Sequence, residues 1–158
     1  NFNVLQGEIK AHTEVFGDSK IDPTTKQIKS NLTIDDFIES IKGKIYFETV
    51  SLISETKDRD SNMYELLNIE KYKTISFDIT SVKKLENEYE LNGSLTLNGI
   101  SNSLISKTII NEENGSFAFS GGFSINLTDY GIKPPKVLFL TVRNQIDVSH
   151  YIEFKKDK

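Results

Sequence analysis

The chain contains no cysteine and only two histidines, His12 and His150, in 158 residues. Without cysteine it holds no disulfide framework, no thiolate nucleophile and no zinc ribbon, whatever compartment it occupies. The two histidines lie at opposite ends of the sequence, and no serine sits in a G-x-S-x-G turn, so no nucleophile–base pair stands out. Glycine-rich phosphate loops are missing, as is any metal-ligand spacing of histidines and carboxylates. The adjacent acids Asp35-Asp36 and Glu112-Glu113 fall on expected turns, where neighbouring side chains diverge toward solvent. Catalysis therefore has little to stand on, and the chain reads as a non-enzyme. No apolar run approaches the roughly 18 residues that mark a membrane-spanning helix. Nor is there a large excess of charge: 19 basic and 23 acidic residues leave −4, which argues against a nucleic-acid partner.

What is present is alternation. Hydrophobic residues make up 37% and charged residues 27%, an ordinary globular balance. No repeat, linker or low-complexity stretch divides the chain, so residues 1–158 read as one domain. Phe2 to Ala11 alternates loosely; Leu32 and Ile34 share a face with Ile28. From Lys42 to Ile53 a strand carries Ile45 and Phe47 on one side, Val50 and Leu52 on the other. Ile75, Phe77 and Ile79 alternate with Ser76, Asp78 and Thr80; Leu91, Gly93, Leu95 and Leu97 follow Tyr89 on one face. Phe117, Phe119, Gly121, Phe123, Ile125 and Leu127 form the next such row. A last row runs from Leu138, Leu140 and Val142 through Ile146 and Val148 to Ile152, with Asn144 a polar member within it. Asn98-Gly99 and Asn114-Gly115 are hairpin dipeptides that need positive φ. About eight strands with turn signals between them predict an antiparallel barrel or sandwich. Strands of ten or more residues favour the barrel, whose strands tilt across a closed sheet.

One stretch breaks the pattern. Between Ile53 and Lys71 lie Glu55, Lys57, Asp58, Arg59 and Asp60, then a short helical segment in which Met63, Leu66 and Leu67 share a face. Asp60 or Ser61 is placed to cap that helix. A lone charged helix between two strands is a cap or plug on a sheet. The same stretch carries a resemblance: Ser51-Leu52, Arg59-Asp60, Lys71-Tyr72 and Ile75-Ser76-Phe77 are similar to the signature of the YceI-like family. Leu66-Leu67-Asn68 and Lys73 depart from it, where the family has two Phe and an Asp, and a Pro. Gly93-Ser94-Leu95-Thr96-Leu97-Asn98-Gly99 and Asn126-Leu127-Thr128-Asp129-Tyr130-Gly131-Ile132 resemble two further elements of that family, in its order. The first forty residues carry little of the likeness.

The resemblance implies an all-β, antiparallel, eight-stranded lipocalin-like β-barrel with one short helix between strands. It implies that the barrel binds, stores or transports an isoprenoid quinone, a fatty acid or another long-chain lipid, with no other cofactor. A periplasmic or secreted bacterial protein is then expected, its signal peptide removed ahead of Asn1, and a homodimer is expected too. The inward set is Phe47, Phe77, Ile79, Leu91, Leu95, Leu97, Phe117, Phe119, Phe123, Ile125, Leu138, Leu140 and Val142, with Asn144 as a polar contact. By alternation alone these residues are first of all core; the resemblance makes them a lining. Gly93 and Gly121 either clear space for a ligand or let the sheet bend. Arg59 either holds a head group or pairs with Asp58 or Asp60, the local pair weighing more. His12 is a surface residue or a donor to a quinone carbonyl. A different class of function is a stress-associated interaction protein or scaffold whose barrel is simply packed. A continuous apolar tunnel favours the lipid; a filled interior favours the scaffold.

Overall fold

The structure is a computed structural model that describes residues 2–15, 18–137 and 140–157. Eight strands form the wall: β1 (Phe2–Val15), β4 (Lys29–Thr33), β5 (Lys42–Glu48), β6 (Thr74–Lys84), β7 (Tyr89–Leu97), β8 (Ile100–Glu113), β9 (Ser116–Asn126) and β12 (Gln145–Lys156). Each pairs antiparallel with the next in that order, and β12 returns to β1, which closes the barrel. The β1–β12 seam runs from Phe2↔Lys156 to His12↔Asp147, with a bulge between Val4 and Gln6 that offsets β1's alternation. The β1–β4 seam is thin, made at Phe2↔Leu32. Two short strands reinforce β1 beyond it: β2 (Asp18–Ile21) and β3 (Thr24–Thr25).

Both hairpin dipeptides behave as their chemistry requires. Asn98 and Gly99 sit at φ of 53° and 71°, and Asn114 and Gly115 at 52° and 81°. Elsewhere side-chain hydrogen bonds cut expected strands short. The strand expected to reach Ile53 stops at Glu48, because the Ser51 hydroxyl turns back onto the Glu48 carbonyl at 2.7 Å. The row expected from Leu138 to Ile152 is broken as well. Strands β10 (Lys136–Val137) and β11 (Leu140–Thr141) pair only with each other, and β12 starts afresh after a turn. Asn144 makes that turn: its Oδ1 accepts the Thr128 N–H and its Nδ2 donates to the Thr128 hydroxyl, each at 3.0 Å. A strand cannot continue through a residue whose side chain and carbonyl both serve a neighbouring turn.

Helix α1 (Lys57–Leu66) is the single α-helix among the described residues, between β5 and β6. It starts one turn before the expected cap. Asp60 is therefore inside the helix and buried, and its carboxylate accepts the Ser54 N–H at 2.8 Å, tying down the incoming loop instead of the helix's own amides. The Tyr64 hydroxyl lies 2.7 Å from the Leu52 carbonyl and 3.0 Å from that of Val50, so it pins the helix to the end of β5's connection. One end of the barrel is solid. Phe2 stacks on Phe154 at 5.0 Å and meets Phe117 edge-on at 4.8 Å, while Phe119 lies 4.8 Å from Phe154. Leu32, Ile41, Ile79 and Ile110 complete this aromatic plug. A second, smaller cluster of Leu95, Leu97, Tyr130 and Ile132 lies beside the opposite rim.

Candidate functional site

Beyond the plug the barrel is hollow. A cavity of about 860 Å³ is lined by the plug residues Phe119 and Ile152 at one limit and by α1 at the other. That is toward the upper end of the roughly 300–1,000 Å³ typical of small-molecule sites. The wall between is apolar because each strand turns alternate side chains inward. Phe77 and Phe123 reach in from strands that are not neighbours and stack at 6.3 Å. At the mouth, α1 presents Met63 and Leu66 with Arg59, Asn62 and Glu65, and Leu67, just past its end, Pro135 and Lys136 lie beside them.

Of the residues read from the sequence, Phe47, Phe77, Leu91, Leu95, Leu97, Phe119, Phe123, Ile125 and Val142 stand on this wall. Ile79 and Phe117 are buried in the plug instead, beneath the cavity floor. Asn144 serves the turn with Thr128. Leu140 lies in the small hairpin, described here by its backbone alone, and Leu138 lies outside the described residues. Gly93 and Gly121 clear no room for a ligand. A Cβ on either would come within 2.1 Å of the Asp78 carbonyl oxygen or 2.2 Å of that of Lys107, so the neighbouring backbone requires them.

Several lining groups were not singled out from the sequence. Ile9, Ala11 and Thr13 bring β1 into the wall, which the bulge had hidden. Ile146, Val148 and Ile152, read from the sequence as one apolar row but not placed in the inward set, continue the wall along β12, and His150 sits among them. The Ser106 hydroxyl lies 3.0 Å from His150 Nε2, whereas His150 Nδ1 is closed off from solvent with no hydrogen-bond partner. Burial pulls this imidazole down to about 4, so it is neutral. His12 is of the other kind. It lies off the cavity wall, 2.5 Å from the Asp22 carboxylate and 3.4 Å from that of Glu14, and the Asp22 contact raises its pKa. The Arg59 guanidinium, expected to pair locally, makes no ion pair or hydrogen bond among the described residues; Asp60 is engaged with Ser54.

A YceI-like domain spans residues 5–154, so that all but the first four of the opening forty residues are included. The chain belongs to the YceI-like family. This YceI-like chain is 32% identical over 143 residues to a UPF0312 protein of Pseudomonas putida (strain W619), covering 84% of its own length and 74% of that protein's. With a UPF0312 protein of Pseudomonas savastanoi pv. phaseolicola it shares 31% identity over 106 residues, 61% of this chain and 55% of the relative. The match thus spans about half the length of that relative. Solved structures share the fold. Burkholderia cenocepacia BcnA superposes with a TM-score of 0.81 at 12% identity, over 93% of this chain and 95% of that one. A polyisoprenoid binding domain from Saccharophagus degradans superposes at 0.79 with 7% identity, over 99% and 98%. Among the described residues no group of three or more His, Asp or Glu is placed to hold a metal, and no helix is long and apolar enough to cross a membrane.

Proposed function

We propose that this YceI-like barrel holds an isoprenoid, quinone-like or other long-chain lipid, and that it stores or carries that lipid in the bacterial periplasm or outside the cell. The carrying observation is the cavity itself: about 860 Å³ of apolar-walled space left open in a barrel whose other end is packed solid. A protein that needed only a core would gain by filling that space. Open apolar volume forfeits dispersion contacts on its lining, and a chain entering it gains roughly 0.8 kcal/mol per CH₂ buried. The solved neighbour described as a polyisoprenoid binding domain supports the same ligand class. A charged head group stays at the mouth, where Arg59 and Lys136 line the opening. Sequestration of the tail is the whole mechanism, and no bond is made or broken.

The test is native mass spectrometry of the freshly purified protein, with lipid analysis of its denatured extract. A discrete adduct released as a prenyl or acyl compound supports the reading and names the class. A bare mass, followed by failure to take up added ubiquinone or oleate, overturns it in favour of a scaffold.

A further inference from the structure

The floor of the cavity offers a ligand no open polar atom. The Ser106 hydroxyl and His150 Nε2 are occupied with each other at 3.0 Å, Ser106 is 1% exposed, and His150 Nδ1 is closed off. Phe119 and Ile152 beside them are apolar. A polar group carried to that depth would lose its hydration without replacement, so an amphiphilic chain enters tail first and leaves its polar end at the mouth. The charged residues of the described lining all stand there: Arg59 and Glu65 on α1 and Lys136 on β10. Arg59, Asn62, Met63 and Leu66 follow at i, i+3, i+4 and i+7, so the cavity face of α1 passes from polar in its first turn to apolar in its last. Neighbouring carboxylates leave Arg59 uncompensated. Asp60 is buried and turned onto the Ser54 N–H, and Asp58 is not part of the lining. Glu65 stands six residues on, roughly 9 Å along the helix axis. Among the described residues neither the Arg59 guanidinium nor the Lys136 ammonium has an ion pair or a hydrogen bond.

We propose that Arg59 and Lys136 form an anion seat at the mouth, and that the bound lipid is one that ends in a carboxylate or a phosphate. The inference rests on the lipid-holding reading and fixes the sign of the head group. A guanidinium presents a planar fork of N–H donors that meets two oxygens of either anion at once, and the lysine ammonium adds a point charge. The Asn62 side chain, on the same face of α1, supplies a further N–H donor. Two cations against the one carboxylate of Glu65 leave the described lining of the mouth with an excess of positive charge. An uncharged head such as a quinone ring gains nothing from that excess, and an ammonium is repelled by it. The tail runs on past Met63 and Leu66 into the apolar half of the barrel, so the two ends of one ligand meet the two chemistries of the cavity.

The experiment compares oleate, oleyl phosphate and oleyl alcohol, which share one chain, on the delipidated protein by displacement of a fluorescent aliphatic probe. The quantity read is the affinity of each anion relative to the alcohol, in the wild type, in Arg59→Gln and in Lys84→Gln. Arg59 is exposed, so its substitution does not touch the core; Lys84 is an exposed cation at the plug end of β6, and its loss makes the same change in net charge. The ratio for at least one anion is expected to fall about fivefold in Arg59→Gln, the equivalent of one solvent-exposed ion pair, and to hold in Lys84→Gln. The anion that shows the fall names the head group. Raising sodium chloride should shrink the wild-type ratio as well, because exposed charges are screened. Ratios that Arg59→Gln leaves unchanged, or that fall equally in Lys84→Gln, overturn the proposal. So does a wild type that binds the alcohol as tightly as both anions, and in that case the lipid-holding reading stands. If none of the three compounds binds the wild type, that reading itself falls.

Discussion

At the scale of the residue, His150 also makes stability depend on pH. Its folded value of about 4 lies below the ordinary 6.5, and burial is the cause. As pH falls the unfolded chain takes up the proton first, so the neutral imidazole's contribution is complete above about pH 6.5 and drains away toward pH 4. The loss at pH 5 amounts to roughly 2 kcal/mol. His12 has the opposite sign: raised by Asp22, it contributes below its ordinary value and loses that contribution as pH rises through the folded one. Asp147, held at about 2 by Ser124, Gln145 and Arg143, contributes above the ordinary 3.8 and loses that only at lower pH, so it leaves the pH 5–7 window clear. Urea unfolding at pH 7 and pH 5 should therefore show a stability loss in the wild type that His150→Phe largely removes. An equal loss in both proteins would mean that His150 is not held neutral. Nothing in local composition marked this residue, because its neighbourhood carries no ligand spacing. Its one signal was position, a histidine in a slot where the two-residue period calls for an apolar side chain.

At the scale of the element, α1 depends on a carboxylate that faces backward. Asp60 is buried and accepts the Ser54 N–H, so it fixes the loop that delivers the helix to the mouth. Asp60→Ala should cost about 1–3 kcal/mol, the usual consequence of orphaning a partly buried donor, and the Ser54 amide should lose hydrogen-exchange protection ahead of the strands. Retained protection at Ser54 would mean that the loop is held by something else. Strands and hairpins were legible because alternation and Asn-Gly turns are local signals: β6, β7 and β9 lie close to where the pattern puts them. The helix start and the break at Asn144 were not, since both are decided by partners distant in sequence or across a turn, Ser54 for Asp60 and Thr128 for Asn144. The same limit applied to the cavity. Inward residues could be named from the period, but which were plug and which were wall depends on how far along the barrel each lies, and Phe117 and Phe119 look identical in a sequence.

At the scale of the whole molecule, the barrel is divided along its axis into a packed half and a hollow half, and the two should answer mutation in opposite ways. The plug supplies stability. Phe154 is fully buried against Phe2 and Phe119, so Phe154→Ala should cost about 3–5 kcal/mol through lost contacts and the void left behind. Its lipid uptake, measured where the variant is still folded, should stay near wild type. On the proposed reading the hollow half supplies the site. Val148 faces open volume, so Val148→Phe adds a ring where no neighbour must move; unlike overpacking of a filled core, which costs roughly 1–3 kcal/mol, it should leave stability within about 1 kcal/mol. It should nonetheless depress lipid uptake, because the added ring occupies the path of the chain above His150. A uniformly packed barrel predicts something different, namely that both substitutions destabilise and neither has a separate effect on binding. Urea midpoints and probe displacement measured on the same two variants therefore decide whether the open half exists to be filled, and a Val148→Phe protein that unfolds early would say that it does not.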